Sequence, residues 1–245
     1  MSDNVATATE HVDAYFEYTR IVGEDDNGRP FTEQEFEAYK KRVTPMRLNN
    51  RIYVAYCNPQ YIECVQVGPE TQCFCQHKYI QHKTDFEEIP AKRPIEQKCK
   101  NCACKSFRLM PKFTAIPARC HCKHEPSNHS VIIPNKCEKA GCNCQSYRTS
   151  ATCMCGIPDS EHFMLSETKM ERKQRGMPIG RPTIYQAMGG LTGFNSLAPG
   201  QIRMDRTGAG QALTEEEINA PISSQNHPFL RAFAEVLEPQ GECRI

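Results

Sequence analysis

Hydrophobic positions rarely repeat for long in this chain. Thr32-Glu-Gln-Glu35 is a capping-box start, with Phe36 and Tyr39 following on one side. Lys40, Lys41 and Arg42 suit the negative end of the helix dipole, so the pattern predicts a helix over about 33–43. A second, weakly capped helix is expected through Val12–Thr19. Arg51-Ile-Tyr-Val-Ala-Tyr56 reads as a short strand, and Glu167–Arg175 as a short charged helix. From Gly176 onward glycine and proline recur too often for long regular elements. Near the end, Pro228-Phe229-Leu230-Arg231-Ala-Phe233-Ala-Glu-Val236-Leu237 has an amphipathic pattern with proline at the first helical position. No apolar run approaches the ~18 residues of a membrane span.

Composition sharpens this picture. Of 245 residues, 39% are hydrophobic, below the globular norm of about 45–50%. The long Val/Ile/Leu strands of a large α/β enzyme core are missing. Fifteen cysteines and eight histidines stand out instead, and fourteen of the cysteines fall between Cys57 and Cys155. The start, Met-Ser-Asp-Asn, has neither a basic region nor an apolar core, so no signal peptide is read and a reducing compartment is expected, where disulfides are rare. Charge is uneven. Residues 1–37 carry ten acids and two bases, residues 98–150 ten bases and two acids. The expected organisation is an acidic N-terminal helical segment (1–50), a Cys/His-rich zinc-binding domain of three repeat units (51–165) and an extended Gly/Pro-punctuated tail with a short terminal helix (166–245). The fold class expected is a small, irregular, zinc-stapled α+β domain with short strands and knuckle turns.

An internal repeat carries the chemistry. Cys73-Phe-Cys75-Gln-His77-x4-His82 recurs as Cys120-His-Cys122-Lys-His124-x4-His129, offset by 47 residues at all four positions. A third copy, Cys153-Met-Cys155-Gly-Ile157-x4-His162, keeps both cysteines and the last histidine but has isoleucine at the first. A second cysteine cluster precedes each copy. Cys99-x2-Cys102-x-Cys104 precedes the second and Cys137-x4-Cys142-x-Cys144 the third. Cys57-x6-Cys64 precedes the first, with Ile62 where a middle cysteine would stand. The unit therefore reads as a cysteine cluster, a loop, then C-x-C-x6-H. Nineteen candidate ligands result: fourteen cysteines and five histidines.

Tetrahedral Zn²⁺ takes four Cys or His ligands at roughly 2.0–2.3 Å, and short cysteine spacings place two sulfurs on one turn. Thiolate-rich sets suit zinc or iron–sulfur clusters, and the added histidines favour zinc. The ligand number suggests about three or four ions. The two sulfurs of C-x-C can serve different metals, so a thiolate-bridged cluster is open, and the pairing is not fixed by spacing. His77 and His124 read equally well as ligands or as supporting histidines, since the third copy does without that position. His121 is expected to point outward. Cys243, His11 and His227 read as ordinary residues. A catalytic zinc needs an open position and a general base. H-E-x-x-H, the deaminase signature, a phosphate loop and G-x-S-x-G are all absent, and Asp159 and Glu161 beside His162 read as solvated turn acids. Structural zinc and no enzymatic activity are therefore expected.

The run Cys73-Phe-Cys-Gln-His-Lys-Tyr-Ile-Gln-His-Lys-Thr-Asp-Phe86, the two cysteine clusters and Ala187-Met-Gly-Gly-Leu-Thr-Gly-Phe-Asn-Ser-Leu-Ala198 resemble the eukaryotic "family with sequence similarity two hundred twenty-one", most closely its A-type members. The resemblance covers about residue 45 to Phe229-Leu-Arg-Ala-Phe233. It implies a Cys/His-rich architecture, supplies no enzymatic activity and carries an association with ciliated cells. The function expected is a zinc-stabilised structural protein of a larger assembly, with the axonemal doublet microtubule of a cilium or flagellum as the specific expectation. Tubulin and other axonemal proteins are the expected partners, within the cytoplasm and cytoskeleton, with no membrane and no small-molecule substrate. The basic stretch 98–150 suits acidic tubulin. The alternative is a zinc-dependent RNA- or DNA-binding protein. That stretch and the Phe107-Arg108 and Tyr147-Arg148 pairs favour it, while the near-neutral chain and the absence of a recognition-helix spacing oppose it.

Overall fold

A computed structural model describes residues 2–113 and 116–191. Its helices start where local chemistry places them. The Thr32 hydroxyl accepts the Glu35 N–H at 3.3 Å, and the Glu35 carboxylate accepts the Thr32 N–H at 2.8 Å. From this box α2 runs over Glu33–Asn49, six residues past the expected end and through Pro45. The extension follows from tertiary anchoring: Val43 and Arg47 are both buried and lie beyond any local stop signal. Helix α1, Ser2–Val22, is likewise longer than the expected Val12–Thr19. The two helices share a small core of Ile21, Val22, Tyr39 and Val43, edged by Tyr18, Phe31 and Phe36.

Strand β1 (Ile52–Cys57) is central in a three-stranded sheet of order β2-β1-β5. Its antiparallel partners are β2 (Glu63–Gln66) and β5 (Phe163–Thr168), neither of which the sequence pattern announced. β1 pairs with β5 from Ile52↔Thr168 to Cys57↔Phe163. That strand spans the boundary expected at 165/166 and takes in Glu167 and Thr168, so the helix expected over Glu167–Arg175 is the shorter α3, Lys169–Gln174. A small hairpin, β3 (Lys112–Phe113) with β4 (Ile116–Pro117), lies between the first two repeats.

The two faces of the sheet do different things. Ile52 and Val54 join Val67, Tyr79, Phe86, Ile95 and Phe107 in the main core, which includes Cys73, Cys75 and Cys104. On the opposite face lie Tyr53 and the ion network of Glu63, Glu167, Arg172 and Arg175. Arg172 Nη1 meets Glu63 Oε1 at 2.6 Å, and Arg175 Nη2 meets Glu63 and Glu167 at 2.7 Å each. Glu63 is 1% and Arg172 2% exposed, so neither charge is solvated by water and each depends on the other. Burial pushes the Glu63 carboxyl up, but Arg172 and Arg175 outweigh it and hold the group below the usual carboxylate range.

A buried arginine is one of the links that join the helical pair to the rest, beside the Lys100–Asp25 ion pair at 3.0 Å. Arg47, 4% exposed, donates to the Ile21 and Ile184 carbonyls at 2.6 and 2.8 Å and to Asp85 Oδ2 at 2.8 and 2.9 Å. Residues 176–191 are not free of this body, contrary to the expectation of an extended tail. Gln186 N–H donates to the Arg20 carbonyl, Tyr53 OH to the Ile179 carbonyl, and Arg51 to the Met188 and Gly190 carbonyls. The Gly189-Gly190 pair permits this close return. A Cβ on Gly189 would lie 2.9 Å from the buried Tyr79 ring, and one on Gly190 3.0 Å from the Val67 carbonyl oxygen. The terminal helix expected at 228–237 lies outside the described residues.

Two outcomes test this frame. Glu63→Gln removes the carboxylate that pairs most closely with buried Arg172, leaving Glu167 Oε2 at 3.6 Å as its remaining countercharge, and is expected to cost about 3 kcal/mol, while Glu63→Leu combined with Arg172→Met recovers much of that loss. Denaturant unfolding measures both. Gly189→Ala is expected to cost about 1–3 kcal/mol through overpacking. Gly68→Ala, where the nearest atom is 4.0 Å away, is expected to be near neutral in the same melts.

Candidate metal centres

Each repeat opens on the same tight turn. Cys73 N–H donates to the His77 carbonyl, Cys120 to His124 and Cys153 to Ile157, at 2.9, 3.0 and 2.9 Å. The turn needs a left-handed residue after the second cysteine, supplied by Gln76 (φ 72°), Lys123 (φ 68°) and Gly156 (φ 85°). Glycine adopts this at no steric cost, whereas Gln76 and Lys123 are held there by the surrounding bonds. A single 3₁₀ turn follows in each copy: Tyr79–Gln81, Pro126–Asn128 and Asp159–Glu161. The last histidine caps it. His82, His129 and His162 each donate Nδ1–H to a carbonyl, of Lys78, Glu125 and Pro158, at 2.9 Å in all three. A carbonyl only accepts, so Nδ1 carries a proton and Nε2 is the nitrogen turned toward the cysteines.

These turns assemble five groups of four ligand atoms, each group lying within 4.8 Å of itself. They are Cys73, Cys75, His82 and Cys104; Cys75, His77, Cys99 and Cys102; Cys120, Cys122, His129 and Cys144; Cys122, His124, Cys137 and Cys142; and Cys64, Cys153, Cys155 and His162. Every group is three cysteines and one histidine. Cys75 and Cys122 belong to two groups each. Eighteen of the nineteen expected residues are thus brought together.

Cys57 is the exception, and the sheet explains it. Its cross-strand partners are Glu63 and Phe163, which puts it on the ion-network face. A register shift between Tyr56 and Cys57 leaves Cys64 opposite the step between them. Cys64 Sγ then reaches His162 Nε2 at 3.5 Å. The order within the unit also differs from expectation. The cluster that closes each knuckle follows it rather than precedes it: Cys104 meets Cys73 and Cys144 meets Cys120. Only the third copy looks backward in sequence, to Cys64, because β2 and β5 both pair with β1, one along each of its edges.

The distances suit a metal. Bonds of about 2.3 Å to sulfur and 2.0 Å to nitrogen give tetrahedral edges of about 3.8 Å for S···S and 3.5 Å for S···N. Cys120 and Cys144 stand 3.7 Å apart and Cys73 and Cys104 4.0 Å. Sulfur-to-imidazole separations are 3.6 Å for Cys75–His82, 3.5 Å for Cys122–His129, 3.4 Å for Cys137–His124 and 3.3 Å for Cys155–His162. His77 Nδ1 is buried and has no hydrogen-bond partner within the protein, as a nitrogen meant for a metal would be. The fourteen cysteines among the described residues are in no disulfide.

Electrostatics points the same way. Burial pushes the His82 imidazole down, yet the Cys104 and Cys73 sulfurs more than reverse this and raise it to about 9. The Cys75 thiol is driven far up by its contacts with Cys104 and Cys73, while Cys104 is driven far down by its contacts with Cys73 and Cys75. Burial raises Cys155, but the Ile157 N–H and Cys64 hold it at about 7. The cluster therefore favours one positive charge among its sulfurs and sets the thiols against one another without it.

Aromatic rings shield the histidines. Phe107, fully buried, meets His82 edge-on at 5.4 Å, and Tyr147 meets His129 edge-on at 5.2 Å. Tyr56 stacks on His162 at 4.7 Å. The aromatic-basic pairs that suggested base stacking in the sequence thus place their rings inward. The following residue completes the shell, as the Arg108 and Arg148 N–H groups point at Cys73 and Cys120 Sγ, 3.3 Å away in both copies.

Comparison with known proteins agrees with this architecture. The family model described as Protein FAM221A/B matches residues 18–211. Protein FAM221A of Mus musculus is 48% identical over 91% of this chain and 74% of its own length. Protein FAM221A of Xenopus tropicalis is 46% identical over 94% of this chain and 78% of its own length. Protein FAM221B of Homo sapiens is 26% identical over 60% of this chain and 40% of its own. No solved structure matches. The repeated knuckles and the returning Gly189-Gly190 segment both lie inside the matched region, and the chain belongs to the FAM221 family, with the A-type proteins as its near relatives.

Proposed function

We propose that this protein is non-enzymatic, that its Cys/His groups hold structural zinc, and that it is a component of a larger protein assembly. The observation that carries this reading is the closure of every group by four protein ligands of one kind, three cysteines and a histidine. A catalytic zinc keeps a position for water or substrate, whereas a structural zinc has all four filled. Three thiolates with one imidazole form a zinc donor set, harder than the all-sulfur sets of most iron–sulfur clusters. The main core supports the same view, since its apolar side chains pack around Cys73, Cys75 and Cys104 rather than form a separate body.

An assembly role draws on the surface. Of the ten basic residues between 98 and 150, nine are exposed, among them Lys112, Lys123, Lys136, Lys139 and Arg148. Ile116, Ile132 and Ile133 are exposed in the same stretch, at 68%, 54% and 74%. A basic surface with apolar points suits an acidic protein partner. The axonemal doublet microtubule of a cilium or flagellum is the assembly we propose, with acidic tubulin facing the basic stretch, and a cytoskeletal location follows from it. The inward-turned Phe107 and Tyr147 weigh against nucleic acid, whose bases stack on exposed rings.

Structural zinc binding is worth about 10–16 kcal/mol per site in zinc-finger peptides, and a whole domain is stable by only about 5–15 kcal/mol. Chelation is therefore expected to unfold residues 64–162, read as loss of dispersed amide NMR signals and regained on adding zinc. Ligand thiols must lose protons to bind, so metal release is expected as pH falls. Unchanged spectra after complete chelation would overturn structural zinc. Microtubule co-sedimentation tests the partner. Salt-sensitive pelleting is expected, and it is expected to disappear in Lys123→Glu/Lys136→Glu/Lys139→Glu/Arg148→Glu with metal content unchanged. RNA binding at the same salt with no pelleting would replace the tubulin reading with the nucleic-acid one.

A further inference from the structure

We propose that the paired groups are two thiolate-bridged dinuclear centres, with Cys75 bridging two zinc ions in the first repeat and Cys122 bridging two in the second, so that the chain carries five zinc ions. This rests on the zinc reading above and goes beyond it in number, arrangement and the role of two named sulfurs.

The shared sulfurs are the starting point. Cys75 Sγ lies within 4.8 Å of Cys73, His82 and Cys104 on one side and of His77, Cys99 and Cys102 on the other. Cys122 Sγ stands in the same relation to Cys120, His129 and Cys144 and to His124, Cys137 and Cys142. A thiolate has lone pairs enough for two metals, and both second cysteines of the C-x-C turn are placed between two otherwise complete half-sites.

One ion per knuckle leaves too much over. Ions at the His82, His129 and His162 groups alone would use nine cysteines and three histidines. Cys99, Cys102, Cys137, Cys142, His77 and His124 would then be gathered with no ion to bind. His77 Nδ1 would stay a buried nitrogen with no partner, an unsatisfied polar group of the kind folded proteins rarely leave. His124 Nδ1 already sits 3.4 Å from Cys137 Sγ, a tetrahedral edge of the second site in its repeat.

The third copy is an internal control. It has Ile157 where the other two have His77 and His124, and only Cys64 arrives from outside to complete four ligands. The extra histidine and the extra cysteine pair are present together in two copies and absent together in the third. Ligands that come and go as a set belong to one ion. Charge agrees. Thirteen thiolates with five divalent ions leave −3, a −1 at each centre, whereas three ions would leave −7 or oblige four thiols to stay protonated. The residual −2 of the two dinuclear centres offsets only part of the basic stretch around them.

A bridging sulfur ties two ions together, and a terminal one does not. The test uses the full chain, saturated with metal without oxygen. Native mass spectrometry is expected to show five zinc ions. In the cadmium-113 form, NMR is expected to show five signals, four of them in two pairs split by Cd–Cd coupling through sulfur and one unsplit. Cys102→Ser is expected to weaken one ion against a chelator and Cys75→Ser two. Should Cys75→Ser not fold, the coupling in the wild-type chain decides alone. Saturation at four ions or fewer, or five signals without splitting, overturns the dinuclear proposal and leaves structural zinc standing. A folded chain that takes up no metal at all overturns both.

Discussion

Thirteen cysteine sulfurs and five imidazoles gathered into five contiguous groups are the constraint on which the remaining structure depends. Thiols that close together cannot ionise independently, and the opposite displacement of Cys75 and Cys104 shows the conflict in one pair of contacts. A cation at the centre of each group would remove it. The apolar side chains of the main core are arranged to keep water from that centre: Tyr79 and Phe107 pack edge-to-face at 5.0 Å, and Phe107 also covers His82. The chain has too little apolar residue to build a large core elsewhere.

The repeats differ in how they connect to the body. The first is enclosed by the core and joined to β1 through Ile52 and Val54. The second leans on the first, with the Phe74 and Tyr147 rings edge-on at 5.0 Å and Arg108 donating to Asn135 at 2.7 Å. The third is fastened to the sheet itself, since Cys64 leaves β2 and His162 immediately precedes β5. That group is also the most open, with Cys155 exposed. Behind the sheet the buried Glu63–Arg172 pair holds β2 to α3, so the position of Cys64 depends on an ion network on the opposite face.

Membership of the FAM221 family places this architecture among related proteins of several vertebrates, and the match spans the knuckles and the glycine pair together. The two features are physically linked. Gly189 lies against Tyr79, and Tyr79 opens the 3₁₀ turn that delivers His82. A side chain at Gly189 would press on the turn that aims a ligand.

Much of the site was legible in the sequence because ligand spacing is a local property. The C-x-C turn and the histidine seven positions on lie in one short segment, repeated after 47 residues, and a tight turn with a 3₁₀ step brings them together within each copy. The Thr32–Glu35 cap and strand β1 were legible for the same reason, since neighbouring residues decide them. Tertiary structure decided the rest. Pairing of the clusters runs from each knuckle to the cysteines that follow it, a choice between two sequence directions that spacing left open. The sheet register turned Cys57 toward Glu63 and Cys64 toward His162, because adjacent strand positions face opposite sides. Strands β2 and β5 lacked a clear alternation and exist because β1 lies between them. The long run of α2 past Pro45 carries Arg47 to partners Ile21, Asp85 and Ile184, which lie 26, 38 and 137 residues away in sequence and meet only in the folded chain, and the return of residues 176–191 rests on these bonds together with those of Arg51 and Tyr53.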